Sequence, residues 1–439
     1  MAIFSGFRDY SLNLFFSTVR ILHIIPSLAP ETGGTASGVS KFCEVQVRGG
    51  VELTLYTTSW PRLDNSRNGM ILESMERAGV DIRIFPAKEA PFNLPLPHSP
   101  FLVEAVRDHC RKFDLIVNHS LWNPIATGCM RTLRKMGSNY ALMPHGMLDP
   151  VVFARHRSRK KLWAWAWERS NVEGASLILF NTQAEEEKAR NCGWEFKQTF
   201  IFPHMIDLAY WRELPSPSHF EAKFPSLRNR EVILFVGRLN WVKNLDRLIE
   251  AFAIVHAHRP STILVLVGPD ADGLRSRLEA QAGSFGVKDD LLFTGLLEGE
   301  DVKAAYARGQ VFALVSQKEN FGLVAAEALS AGLPVVLSDG VDMGQNWGSR
   351  GAVRRVAPDP KPIAEAILDL LERSATLGLP DNQAQALAQQ MWGNPDSSMQ
   401  QLLEEYQKII GDSGRQIRQE QSIVKQPAVT RHKQATSNE

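Results

Sequence analysis

From residue 19 onward, short apolar runs alternate with segments whose apolar residues recur every three or four positions. A short run that is apolar on both faces predicts a strand buried in a parallel sheet, and the intervening period predicts the helix that crosses back over it. Strands are predicted over 19–25, 51–57, 80–85, 113–118, 139–143, 175–180 and 199–202, with helices over 101–112, 124–136, 158–171 and 183–191 among them. After a Pro-rich passage (Pro203, Pro215, Pro217, Pro225) the alternation restarts. Strands are predicted over 231–236, 262–267, 291–294, 311–315 and 334–337, and helices over 245–258, 274–284, 301–308, 322–331, 362–374 and 396–410.

The repetition predicts an α/β protein of two Rossmann-like, doubly wound domains that face each other across a cleft. Sheets of this kind take ligands outside the carboxyl ends of their strands. The expected organisation is an N-terminal extension over 1–18, a first domain over 19–210 and a linker over 211–230. A second domain over 231–395 follows, then a helix over 396–411 that returns to the first domain. The tail 412–439 has no aromatic residue and reads as disordered.

A length of 439 residues suits two such domains. Lys+Arg 49 against Asp+Glu 48 leaves a net charge of +1, which removes the global electrostatic case for a nucleic-acid partner. Cys43, Cys110, Cys129 and Cys192 form no C-x-x-C pair, and buried free thiols in the cytoplasm are expected. No apolar stretch is long enough to predict a spanning helix.

Two stretches carry candidate chemistry. Gly237-Arg238-Leu239-Asn240-Trp241-Val242-Lys243 follows the apolar run Val232–Val236 and sets two cations at a strand's carboxyl end. Arg holds a phosphate with parallel N–H bonds and Lys adds a point charge, so the pair could neutralise a diphosphate; a solvated loop is the plainer alternative. Glu319-Asn320-Phe321-Gly322-Leu323-Val324-Ala325-Ala326-Glu327 follows the run Val311–Ser316 and opens a helix near Gly322. A carboxylate accepts two hydrogen bonds from a vicinal diol, as in a sugar or ribose, and the first helical turn offers free N–H groups to an anion.

With these two stretches in this order, the chain resembles the retaining glycosyltransferases of family 4 (group 1), which have the GT-B fold. The Gly33-Gly34 loop, Pro144-His145-Gly146-Met147-Leu148 and Phe293-Thr294-Gly295-Leu296 extend the likeness over roughly residues 19–410. The resemblance implies that Gly237, Arg238 and Lys243 bind the donor diphosphate and stabilise the departing nucleotide. It implies that Glu319 contacts the donor sugar, Glu327 the ribose hydroxyls, and main chain at Gly295 and Leu296 the base. Phe321, Gly322 and Leu323 would border the phosphates, His145 the sugar, and Gly34 would let backbone approach phosphate and acceptor.

The implied reaction moves a hexose from a UDP- or GDP-sugar to a hydroxyl of a polysaccharide or a lipid-linked glycan, such as a polyprenyl-diphosphate acceptor. Retention would proceed through a covalent carboxylate intermediate or by front-face attack aided by the leaving phosphate. The Pro-His-Gly-Met-Leu neighbourhood resembles enzymes of bacterial exopolysaccharide and surface-polysaccharide synthesis. A nucleotide-sugar epimerase on the same fold and a non-catalytic sugar-nucleotide-binding protein are the alternatives, the latter disfavoured by the intact set Arg238, Lys243, Glu319 and Glu327.

Asp270-Ala271-Asp272 matches the metal-binding pair of another transferase fold, but sits in a Gly-flanked turn where Asp is expected for turn chemistry; no metal and no organic cofactor are expected. His119 either lines the acceptor pocket or is structural. The basic run Arg155–Lys161, followed by Trp163, Trp165 and Trp167, either touches an anionic membrane at its cytoplasmic face or a lipid diphosphate, or starts a solvated helix with Trp163 and Trp167 packed inward. The chain departs from the family's usual Pro-Asn-Gly-x-Asp at Pro203-His204-Met205-Ile206-Asp207, and no role is assigned to 340–350.

Overall fold

The computed structural model describes residues 19–29, 34–59, 69–90, 94–154, 157–270, 272–346 and 348–424. The extension 1–18, Gly33, Arg155 and His156 lie outside these residues, as do the last fifteen positions of the tail. The strands are β1 (Arg20–Ile24), β2 (Glu52–Ser59), β3 (Asp81–Pro86), β4 (Lys88–Ala90), β5 (Leu94–His98), β6 (Leu115–His119), β7 (Tyr140–Met143), β8 (Leu177–Phe180) and β9 (Thr199–Ile201). In the second half come β10 (Glu231–Val236), β11 (Thr262–Val267), β12 (Leu291–Gly295), β13 (Val311–Leu314), β14 (Val335–Ser338) and β15 (Val353–Val356).

Two all-parallel sheets result, in the orders β3-β2-β1-β6-β7-β8-β9 and β12-β11-β10-β13-β14-β15, with β4 and β5 forming a separate antiparallel hairpin. Helices cover both faces of each sheet, so strands such as Leu115–His119 and Thr262–Val267 are buried along their whole length. The strand order reverses at β1/β6 in the first sheet and at β10/β13 in the second. Those two switch points set where a ligand fits.

Three differences from expectation have local causes. The segment expected as a linker carries a helix, Pro217–Lys223, capped by the Ser216 hydroxyl with Pro217 in its first turn, and Phe220 and Leu227 are buried in the second half's core. The Pro-Ser pair that reads as a linker is a helix start, since the Pro N–H would be unbonded there anyway. The last helix runs over Pro395–Val424, beyond the expected end at 411. Lack of aromatics was a poor guide, because Gln, Arg and Glu are good helix formers. Its Met399, Leu402, Tyr406 and Ile409 enter the first half's core. The helix expected over 158–171 is broken by a π-turn at Ala164–Glu168, between Arg157–Trp163 and Arg169–Gly174.

Candidate active site

The carboxyl ends of β10 and β13 sit side by side at the second switch point, and each feeds a tight turn into the space above the sheet. Gly237, which follows β10, has φ +148°, and a Cβ at neighbouring Gly268 would lie 2.0 Å from the Gly237 carbonyl oxygen. The backbones after β10 and β11 therefore touch, a contact only glycine permits. Lys243 ends a 3-10 turn, Trp241–Lys243, and Asn244 beyond it takes φ +50° and donates its side-chain amide to the Val315 carbonyl at 3.1 Å. This bond ties the lysine's turn to the end of β13.

The loop after β13 is held equally firmly. Glu319 N–H donates to Gly340 O at 2.8 Å and Asp342 N–H to Glu319 O at 2.9 Å. Gly322 then takes φ +82° and starts the helix Leu323–Ser330. The two turns bring the Lys243 ammonium onto the Glu319 carboxylate as a hydrogen-bonded ion pair. A cation suited to phosphate and a carboxylate suited to hydroxyls thus hold each other in place.

A cavity of about 330 Å³ opens over these strand ends, lined from the second half by Gly237, Arg238, Lys243, Leu296, Glu319 and Phe321–Val324. The first half closes its other side with Gly34, Thr35, His145 and His204. Gly34 begins the helix Gly34–Arg48, and a Cβ there would stand 3.7 Å from Leu323 Cδ1. His145 and Gly146 follow β7 with φ +50° and +75°. This turn is gripped from both halves: Gly146 N–H donates to the Glu185 carboxylate at 2.5 Å, and Lys318 Nζ donates to Gly146 O at 2.7 Å. A Cβ on Gly146 would meet Asn320 Cβ at 3.1 Å.

Beside it lies an ion cluster spanning the cleft. Lys188 pairs with Asp342 and stands 3.7 Å from Asp149, while Lys318 stands 3.6 Å from Asp149. Asp342, from the 340–350 stretch that suggested no role, is one of its buried carboxylates.

Burial sets the protonation of the site. It pushes His145 down to about 3 and His204 to about 4, so both are neutral imidazoles at neutral pH. Burial raises Glu327 to about 7, against the pull of its 2.8 Å hydrogen bond from Tyr306 Oη.

Most predicted site residues converge, with three exceptions. Glu327 lies one helical turn beyond Val324 and does not line the cavity, and Gly295 stops short of it while Leu296 reaches it. His119 was expected to line an acceptor pocket or to be structural. It is wholly buried, bonded to His145 on its far side from the cavity, which corrects the pocket assignment: β6 keeps all five residues, His119 included, inside the sheet.

The sequence reading missed Thr35, His204, Gly268, Pro269 and Asn320 as lining residues. His204 stands where the chain departs from Pro-Asn-Gly-x-Asp, and that departure was its signal. The Asp270 carboxylate accepts from Leu274 and Arg275 N–H within its own turn, whereas that of Asp272 accepts from Trp241 N–H, 31 residues away, and ties the turn to the one that carries Lys243.

The Trp cluster departs from the inward-packed arrangement, in which both Trp163 and Trp167 enter the core. Trp163 is partly buried and donates to Thr127 Oγ1 at 3.1 Å, whereas Trp167 is only half-buried, and Trp165 is 82% and Leu162 65% exposed. The π-turn advances the helix by an extra residue and turns Trp165 outward.

The family described as glycosyl transferases group 1 matches residues 219–389, and that described as glycosyltransferase family 4 matches residues 32–210. A D-inositol 3-phosphate glycosyltransferase of Corynebacterium urealyticum is 30% identical over 411 residues, covering 86% of this chain and 92% of that protein. An uncharacterised glycosyltransferase of Methanocaldococcus jannaschii is 31% identical over 163 residues, 36% of this chain and 38% of its own length. The chain spans between 38% and 62% of the length of several such relatives. Among solved structures, Anabaena HepE in complex with UDP and glucose superposes with a TM-score of 0.70 at 20% identity, over 89% of this chain and 100% of that one.

Proposed function

Because the chain belongs to the group 1 glycosyltransferases of family 4, with two Rossmann-like domains in the GT-B arrangement, we propose that it transfers a hexose from a nucleotide-diphosphate sugar to an acceptor hydroxyl with retention of configuration. The observation that carries this reading is the meeting of Arg238, Lys243 and Glu319 at the second switch point, opposite His145 and Gly34 of the first half, around one cavity. Two cations suit a diphosphate, a carboxylate suits sugar hydroxyls, and HepE was crystallised with UDP and glucose.

In this reading the leaving diphosphate replaces Glu319 as the partner of Lys243, which frees the carboxylate to accept from the sugar. Arg238 and the first-turn amides of Leu323–Ser330 take the remaining phosphate charge. With no further carboxylate lining the cavity among the described residues, a front-face reaction in which the departing phosphate accepts the acceptor's proton is favoured over a covalent glycosyl-enzyme. Catalysis is then positioning and charge stabilisation, with no metal. Glu327, outside the cavity lining, is proposed to hold the ribose hydroxyls where the donor extends along the helix Leu323–Ser330.

The finer context follows the same reading: a cytoplasmic enzyme of surface-polysaccharide synthesis acting on a glycan or polyprenyl-diphosphate-linked acceptor. Among the described residues no helix is long and apolar enough to cross a membrane. Exposed Leu162 and Trp165 beside Arg159 and Lys161 suit contact with an anionic lipid surface.

Lys243→Ala should lower turnover by at least about 10²-fold with the fold intact, as expected when a preorganised charge is removed from a transition state. A panel of UDP- and GDP-sugars screened by thermal shift identifies the donor first, and turnover is then measured with and without EDTA. Full activity in the variant overturns the reading, and loss of wild-type activity in EDTA overturns metal independence.

A further inference from the structure

Behind His145 a line of imidazoles runs back through the first sheet. His119 Nδ1 lies 3.0 Å from His145 Nε2, and His119 Nε2 lies 2.9 Å from His23 Nδ1. The rings are nearly parallel, at 22° and 23°, and Phe42 stands edge-on to His23. The far end is Gln46, whose Nε2 lies 3.2 Å from His23 Nε2. His23, Gln46 and His119 are wholly buried, and His145 is their only member that lines the cavity.

Each nitrogen–nitrogen contact needs one proton, since two lone pairs repel and two N–H groups clash. Among neutral imidazoles, one end therefore dictates the whole line. The Gln46 amide supplies that end. The same nitrogen that faces His23 also faces the Phe42 carbonyl oxygen at 3.4 Å, and a carbonyl only accepts. The opposite amide orientation would set two oxygens against each other, so the group facing His23 is the NH2 donor. His23 Nε2 must then accept, and its proton sits on Nδ1 and is donated to His119 Nε2. His119 in turn carries its proton on Nδ1 and donates to His145 Nε2.

We propose that Gln46, acting through His23 and His119, fixes His145 as the Nδ1–H tautomer, so that the ring nitrogen left for the cavity is a donor. His145 would then recognise an oxygen with a free lone pair, a sugar hydroxyl oxygen or a phosphate oxygen, and could not take up a proton from an acceptor. The burial that keeps His23 and His145 neutral supports the premise of one proton per contact. Gln46 is a positioning residue. The tautomers stand without any assumption about the reaction, while the effect on turnover rests on the glycosyl-transfer reading.

The test is long-range 1H–15N correlation on the full-length, 15N-histidine-labelled protein at neutral pH, together with two variants. The wild type should show His23, His119 and His145 all protonated on Nδ1. In Gln46→Glu the new carboxylate accepts from His23 Nε2, and all three should switch to Nε2–H. Gln46→Met, which places no charge in the core, should leave the three averaging between tautomers. It should also lower kcat/KM for the donor about three- to tenfold, the worth of one neutral hydrogen bond. An Nε2–H His145 or an imidazolium in the wild type overturns the proposal, as does a Gln46→Met protein whose three rings remain purely Nδ1–H. Correct tautomers in a protein that turns over no sugar nucleotide would instead overturn the glycosyl-transfer reading alone.

Discussion

Glu327 shows how much one side chain's surroundings decide. Burial lifts its carboxyl to about 7 from an ordinary 4.5, so the folded state holds the proton more tightly than the unfolded chain does. The sign follows: the stability it contributes is complete below about 4.5 and is lost as pH rises towards 7. If Glu327 holds the donor's ribose, as proposed, the sense there is opposite, since the ionised carboxylate is the stronger acceptor for the hydroxyls. Donor affinity should therefore weaken as pH falls below about 7, by up to about tenfold per unit, and Glu327→Gln should flatten that dependence. Titration calorimetry between pH 6 and 8 reads it; a flat wild-type curve removes Glu327 from donor binding.

Glu327 was visible in the sequence as the second acid of a spaced pair, whereas its distance from the cavity was not. Spacing places a residue on a helix but does not reveal where a cavity ends. Asp342 was hidden for the same reason, since it acquires its role from Lys188, 154 residues away in the chain.

At the scale of elements, the strands were legible because a parallel strand buried on both faces must be apolar throughout, as Thr262–Val267 and Leu115–Val117 are. The helix Gly34–Arg48 escaped notice because it opens with small residues (Gly34, Thr35, Ala36, Ser37, Gly38) that carry no apolar period. Gly38 in particular must be small because His204 packs on it, with a Cβ there only 2.5 Å from His204 Cε1.

Gly268→Ala would drive a methyl into the Gly237 carbonyl at a φ of +140°, and should cost about 2–5 kcal/mol by strain and overpacking, read as a lowered melting temperature. Flotation with vesicles containing anionic lipid should carry the protein upward, and Trp165→Ala with Lys161→Ala should weaken it several-fold. Equal recovery with neutral and anionic vesicles refutes membrane contact.

For the whole molecule, the near-zero net charge conceals an arrangement of opposite charges across the cleft. Lys188 of the first half holds Asp342 of the second, and Lys318 of the second sits between Gly146 and Asp149 of the first. Removing one partner of a buried pair leaves the other unpaired, at a cost of about 3–5 kcal/mol when both are fully enclosed and less here, where Lys188 is partly exposed. Asp342→Ala should accordingly release the halves from each other, seen as a larger radius of gyration in small-angle scattering, with the secondary structure unchanged by circular dichroism. An unchanged radius of gyration means the cluster does not hold the cleft.

The turn at His145 and Gly146 is held at once by Glu185 from its own half and by Lys318 from the other. If donor and acceptor meet at this turn, as the proposed function has them do, each changes the grip the other finds. Thermodynamic linkage then imposes a reciprocity: whatever factor a bound donor adds to the acceptor's affinity, a bound acceptor adds the same factor to the donor's. The order in which the two substrates enter is then a matter of rates alone, while the strength of their mutual preference is a single number.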